Sequence, residues 1–360
     1  MTEMNLSFSE AIRMALFDSL IDDESVRVFG LGVADPKAVF GTTKGLAEQF
    51  GPERVFDIPL SENAITGAAV GMAMAGLRPV MIHQRADFTF MAAEQIINQA
   101  AKTFFTSGGK FPIPLVIRMI VGRGWGQGPT HAQSPHALYA SIPGLKVVMP
   151  ATPEDGYSML YNAIRDPNPV IFIEHRWTHH VQSTFSKNVR SLPISKGEIL
   201  RSGTDLTLAS LSYGVFEALK IASILSEFGI SAEVVNLRSV SPLDEELIVN
   251  SAKKTGALVF IDTAPVKNGI FGQLSALLHQ KLWGELRKAP LGLGPMFLPV
   301  PSSPHLANQV YPTIEGMVSR ILAHLNCSFI PSDVEQLVES KYPKNSPLGD
   351  QPDVGLVGPF

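Results

Sequence analysis

Short apolar runs rich in valine and isoleucine recur along this chain, each followed by a stretch of helical periodicity. That alternation restricts the fold more than any other feature. A strand buried on both faces reads as an unbroken hydrophobic run, and parallel strands need helical crossovers between them. Strands are therefore expected at residues 26–31, 79–84, 115–119, 146–149 and 170–174, with helices over 7–22, 62–75, 90–106, 135–141 and 153–164. A polar, weakly periodic stretch over 176–203 reads as a linker. A second rhythm follows, with strands at 206–211, 232–236, 258–262 and 296–299 and helices at 215–228, 244–255, 270–282 and 314–325. The expectation is α/β: a first domain over 1–175, a smaller doubly wound one over 204–328, and a tail over 329–360. The tail shifts to Pro, Asp, Gly and Lys and is expected to build no core of its own. It reads as either disordered or a strap across a partner, with Phe360 as anchor.

A chain of 360 residues suits two domains, and 45% hydrophobic against 17% charged residues supplies two cores. A net charge of −4 without a long basic run argues against nucleic-acid binding. No apolar stretch reaches the roughly 18 residues of a membrane helix. The N-terminus, with Glu3 and Glu10, lacks a signal-peptide pattern, and the lone Cys327 excludes an internal disulfide. These features together point to a cytoplasmic protein.

Three segments carry chemistry. In the stretch from Ile58 to Gly76, Ser61 falls at an N-cap position and Glu62 in the first helical turn. Gly67, Gly71 and Ala75 then follow at four-residue spacing. Each interior glycine costs a helix about 1 kcal/mol relative to alanine, so the smooth face implies close packing by another backbone. Glu62 by itself is equally what a helix dipole attracts. The second segment, Gly122 to His136, alternates four glycines and then presents His131, a residue type suited to proton donation or to clamping a substrate. It is neither a dinucleotide fingerprint nor a P-loop. The third, His83-Gln-Arg-Ala-Asp-Phe88, crowds polar groups at the end of an apolar strand, where they form either a structural knot or part of a site. A helix end at Ala163, Ile164, Asp166 and Asn168 groups oxygens that suit a hard cation or simply make a turn.

Phe40-Gly-Thr-Thr-Lys-Gly-Leu46, Leu60-Ser-Glu62, Gln95-Ile-Ile-Asn-Gln-Ala-Ala-Lys102, His131-Ala-Gln-Ser134, Ile142-Pro-Gly-Leu-Lys-Val-Val148, Asn168-Pro-Val170 and Pro242-Leu-Asp244 occur in this order. Together they closely resemble the β subunit of the thiamine diphosphate-dependent decarboxylating component of 2-oxo acid dehydrogenases. The likeness runs from about Ser7 to Leu325. It implies a transketolase-like pyrimidine-binding domain followed by a transketolase C-terminal domain. It also implies that Glu62 hydrogen-bonds the cofactor's pyrimidine N1′, with Leu60, Arg85 and Ala86 beside the cofactor. His131 would face the substrate, flanked by Gln84 and Arg85. Ala163, Ile164, Asp166 and Asn168 match a segment that in such subunits often holds a potassium ion.

The Gly-Asp-Gly motif that holds the diphosphate through Mg2+ does not occur; Gly349-Asp350-Gln351 is not one. The resemblance therefore implies an α subunit that supplies this half of the site, in an α2β2 tetramer. A lipoyl-bearing acyltransferase would take the acyl group. Two departures stand out. Gly30-Leu-Gly32 replaces a segment that commonly carries an acidic residue, and His83, Gln84, Arg85 and Ala86 replace aromatic and methionine side chains. This polar wall resembles a subset associated with bacterial surface-sugar or secondary biosynthesis. Arg85 there either binds a carboxylate or phosphate or pairs with Asp87. The leading expectation is decarboxylation of a 2-oxo acid with acyl transfer. The alternatives are carbon–carbon bond formation with an aldehyde or keto sugar, and a non-catalytic scaffold.

Overall fold

The computed structural model describes residues 3–124 and 126–343. The first domain runs β1 (Met4–Ser7), α1 (Phe8–Asp22), β2 (Val26–Gly30), α2 (Leu46–Phe50), β3 (Val55–Phe56), α3 (Glu62–Met74), β4 (Arg78–His83), α4 (Thr103–Thr106), β5 (Val116–Val121), α5 (His136–Ala140), β6 (Lys146–Val148), α6 (Pro153–Arg165) and β7 (Val170–His175). After β8 (Gln182–Phe185) come β9 (Glu198–Arg201), β10 (Leu206–Ser210), α7 (Gly214–Glu227), β11 (Ala232–Asn236), β12 (Ser239–Ser241), α8 (Glu245–Thr255), β13 (Leu258–Ile261), α9 (Ile270–Lys281), β14 (Leu291–Leu293), α10 (Pro304–Val310), α11 (Ile314–His324) and α12 (Pro331–Lys341).

The first sheet has the order β12-β6-β7-β5-β4-β2-β3 and is parallel except at β12; the second, β14-β13-β10-β11-β9, is parallel except at β9. All six residues of β5 and of β7 are buried, as strands covered by helices on both faces require. Local signals set the helix starts. Ser7 and Glu10 form a capping box on α1, Thr152 and Asp155 another on α6, and Asp244 caps α8, which ends at left-handed Gly256. No helix among the described residues is long and apolar enough to cross a membrane.

The domains are fused. One apolar cluster runs from Phe29, Met81 and Tyr139 through Leu211 and Val235 to Phe260 and Leu282. After β11 the chain crosses to add β12 antiparallel to β6, so a strand from the second rhythm completes the first sheet. Asn236 Nδ2 donates to Asp155 at 2.8 Å, and Arg238 Nε lies 2.6 Å from the same buried carboxylate. His136 Nε2 meets Asp262 at 3.2 Å across the same seam, both fully buried.

The structure corrects four expectations. The helix expected over 90–106 is broken into a 3-10 segment (Ala86–Ala92), a π turn (Gln95–Ala100) and α4. Thr103 Oγ1 donates back to the Gln99 carbonyl at 2.6 Å, and Gly144, with φ of 98°, brings the next loop against the Ala101 carbonyl. The supposed linker is ordered: β8 pairs with β1, β9 enters the second sheet, and residues 175–179 are buried. Its polar residues are paired rather than solvated, as in Thr178 Oγ1 donating to the His175 carbonyl at 2.8 Å. The second sheet has five strands. Its edge is β14, while 296–299, between Pro295 and Pro301, is not a strand. The tail begins with α12, which buries Val334 and Val338 against the core formed with Val318, Ile321 and Leu322. Phe360 and Gly349-Asp350-Gln351 lie outside the described residues. Cys327 is free, half-buried and packed on that core.

Candidate active site

The loop after β3 runs into α3 and places Glu62 at the first helical position. Ser61 occupies the N-cap position but makes no side-chain capping bond. Glu62 is therefore not secured as one half of a capping box. Its carboxylate makes no hydrogen bond or ion pair with any described residue. It lines a cleft of about 20 Å3 with Leu31, Ile58, Pro59, Leu60, Ile82, His83, Gln84 and Phe88. The walls are mostly apolar, and Leu60 stands 76% exposed beside the glutamate. That volume holds about one water molecule, not a planar ring. The residues fit one wall of a pyrimidine site.

Phe88 joins this cleft to His131. The two rings meet edge to face at 88°, with centroids 5.5 Å apart. His131 Nδ1 lies 3.0 Å from Thr130 Oγ1, and Nε2 has no hydrogen-bond partner among the described residues. The loop carrying His131 is pinned twice on its far side. Asp87 Oδ1 accepts from Gln133 Nε2 at 2.8 Å and from its backbone N–H at 3.3 Å, and His136 is held by Asp262. Burial pushes the Asp87 carboxyl above the usual range, while the Gln133 donors hold part of that shift back.

The remaining expected site residues separate into two groups. Gln84 lines the Glu62 cleft and donates to the Leu31 carbonyl at 2.8 Å. Ala86 and Arg85 do not line it: Ala86 is fully buried in the core, and Arg85, 3% exposed, lies over the ring of Phe40. Arg85 Nη1 donates to the Gln84 carbonyl at 3.3 Å. The amide of Gln127, oriented to satisfy both neighbours, accepts from Arg85 Nη2 and donates to the His131 carbonyl at 3.2 Å. His83 is buried with no partner for Nε2 among the described residues, and burial lowers it to about 4, so it is neutral at physiological pH.

The oxygens at 163–168 sit on the opposite side of the sheet's strands, at the end of α6. The Ile164 and Asp166 carbonyls accept from Arg78 Nη1 at 3.0 and 3.5 Å. The Asp166 carboxylate pairs with Lys146 and accepts from the backbone and side-chain nitrogens of Asn168 at 2.9 and 3.0 Å. Two cationic side chains of this chain thus already serve a turn expected to hold a cation. Arg176 and the His136–Asp262 pair, whose members are 126 residues apart, carry no local sequence signal.

The transketolase pyrimidine-binding domain model matches residues 4–179, and the transketolase C-terminal domain model residues 195–317. The chain is 36% identical to the pyruvate dehydrogenase E1 component subunit beta of Rickettsia bellii, over 88% of this chain and 98% of that one. It is 38% identical to the acetoin:2,6-dichlorophenolindophenol oxidoreductase subunit beta of Bacillus subtilis, over 87% and 95%. Against the 2-oxoisovalerate dehydrogenase subunit beta of the same organism it is 39% identical, over 76% and 84%. Among solved structures, a split-gene transketolase in an inactive beta4 tetramer shares the fold, with a TM-score of 0.72 at 23% identity over 90% of this chain and 99% of that one. The chain belongs to the family of β subunits of pyruvate, acetoin and branched-chain 2-oxo acid dehydrogenases.

Proposed function

We propose that this chain is the activating half of an αβ enzyme that decarboxylates a 2-oxo acid with thiamine diphosphate and passes on the acyl group. The observation that carries the reading is the unpartnered Glu62 carboxylate on the rim of a half-formed apolar cleft. When bound, the cofactor supplies the nucleophilic carbon and the electron sink. Glu62 serves as hydrogen-bond partner to pyrimidine N1′, and Leu60, Ile58 and Ile82 keep water from that bond. His131, held at Nδ1 by Thr130, exchanges a proton at the substrate oxygen through Nε2.

The missing wall and the diphosphate site are assigned to an α subunit, which also supplies the Mg2+ ligands. Among the described residues no group of three His, Cys, Asp or Glu side chains is placed to hold a metal ion. The surface suits such a partner. Leu60, Met91 and Phe105 are 76%, 66% and 88% exposed, and α3 turns Ala64, Ala68 and Gly71 outward, with Ala75 exposed just beyond its end. A Cβ on Gly71 would meet nothing within this chain, so its absence matters only to something packed from outside.

An α2β2 assembly and a lipoyl-bearing acyltransferase as acceptor complete the proposal. Potassium at Ala163, Ile164, Asp166 and Asn168 is a further part, using carbonyl lone pairs that Arg78 leaves open. Equal thermal stability of the complex in potassium and in choline chloride would remove that part. The single free cysteine suits a reducing compartment, and we place the enzyme in the cytoplasm.

The deciding experiment is Glu62→Gln in the complex reconstituted with its α chain. Turnover of every 2-oxo acid in a dye-reduction screen should be lost while native mass shows the assembly intact. Undiminished turnover in that variant would sink the assignment.

A further inference from the structure

Two arginines at the carboxyl ends of β4 and β7 share one aromatic ring. The guanidinium carbons of Arg85 and Arg176 lie 5.5 and 4.5 Å from the centroid of Phe40. Both side chains are buried, at 3% and 6% exposure. Arg85 feels the attraction of Asp87, whose carboxylate also accepts from Gln133. Arg176 has no carboxylate within ion-pair distance among the described residues, and its buried Nε has no hydrogen-bond partner. Burial, and then the charge of Arg85, lower Arg176 to about 10, where it still carries its proton at neutral pH.

The surroundings deepen the imbalance. Glu174, the acidic residue nearest in sequence, is taken up by Arg118 and His179. His175, His179 and His180 all feel the positive charge of Arg176. Like charges packed in a dry pocket destabilise the fold unless something of opposite sign joins them. The pair sits at the ligand-binding edge of a parallel sheet. Gln127 links Arg85 to the His131 backbone. Phe40 and Gln84 also line a cavity of about 210 Å3 with Gly32, Asp35 and Lys37.

We infer that Arg85 and Arg176 form a seat for an anionic group, carboxylate or phosphate, at the end of the substrate remote from the reacting carbon. The carboxylate lost as carbon dioxide does not suit this seat. Its charge disperses in the transition state, so an arginine pair would hold the ground state more strongly and slow the reaction. A group that keeps its charge throughout is held equally at every stage and fixes the reacting end near His131. Two sources provide such a group: the side chain of a 2-oxo diacid, or the phosphate of an aldehyde acceptor. The inference rests on the 2-oxo acid reading proposed above.

The test uses the complex reconstituted with its α chain. One arm compares kcat/KM in dye reduction for 2-oxoglutarate against 2-oxopentanoate. The other compares coupled product from pyruvate with glyceraldehyde 3-phosphate against glyceraldehyde. One arm should favour its anionic member by about 10- to 100-fold, the range expected for a charge-assisted hydrogen-bonded seat. Arg176→Met should remove that preference and Arg176→Lys should restore part of it. Independently of turnover, millimolar malonate or phosphate should raise the Tm of the wild-type complex above that in chloride at equal ionic strength. Equal or reversed preference in both arms, a preference that survives Arg176→Met, or no anion-dependent Tm shift overturns the seat. Failure of the functional reading looks different: no 2-oxo acid is turned over at all, while the anions still raise Tm.

Discussion

The ring of Phe88 meets the imidazole of His131 edge to face, with centroids 5.5 Å apart, and the same ring closes the cleft beside Glu62. One aromatic side chain thus sets the spacing between the two groups assigned to the chemistry. It does so from the first turn of the 3-10 segment after β4.

Replacing Phe88 with alanine leaves Glu62 and His131 in the sequence but removes the spacer. We expect kcat of the reconstituted complex to fall by about 10- to 100-fold, the scale on which small misplacements act. Phe88→Tyr, which keeps the ring, should retain most activity. An alanine variant with wild-type kcat would show that the contact is incidental.

The seam between the domains bears on the same loop. His136 and Asp262 are buried against each other, and Ser134 Oγ lies 3.5 Å from Thr263 Oγ1. Asp262→Ala leaves the imidazole without its acceptor, and His136→Ala leaves a buried carboxylate short of a donor. Each should destabilise the fold by about 1.5–3 kcal/mol in denaturant unfolding. The double variant should cost less than the two losses added together. Strict additivity would mean that the pair does not act as a clasp.

The strands were legible because β5 and β7 are apolar runs interrupted only by Arg118, Glu174 and His175, and Glu62 and His131, the residues proposed for the chemistry, stand in recognisable local contexts. What escaped was whatever depends on a distant partner. Residues 176–203 look like a linker until Glu174, Arg118 and His179 are seen satisfying one another inside the protein. Arg176 carries no local mark at all, since its significance comes from Arg85 across the sheet and from Phe40 far upstream. Here polarity was a poor guide to exposure. By contrast, α12 had a readable signature in Pro331 at its first turn, Asp333 beside it, and Val334, Leu337 and Val338 on one face. The composition of the residues beyond it obscured that pattern.

Truncation of the tail should accordingly show two stages. Ending the chain after Tyr342 keeps α12 intact, whereas ending it after Ile330 removes Val334 and Val338 from the C-terminal core. Burial of a valine is worth about 1.5–3 kcal/mol, so the shorter form should lose several kcal/mol of stability and unfold at lower temperature. Equal Tm for the two truncations would mean that α12 docks too weakly to matter.

Stability should also fall on the acid side, through His83. Burial lowers this histidine from 6.5 to about 4. Between those values the unfolded chain binds a proton that the folded chain refuses, so stability rises with pH across the window. The contribution is complete above about pH 6.5 and is lost progressively as pH falls toward 4. Its full size is about 3 kcal/mol, from about 1.4 kcal/mol per pH unit. His83→Gln, which keeps a polar side chain of similar reach without a titrating proton, should flatten the pH dependence of Tm over that interval. A Tm that declines with the wild-type slope in this variant would assign the acid sensitivity to another group, with His179, lowered to about 4 by its burial, as the next to replace.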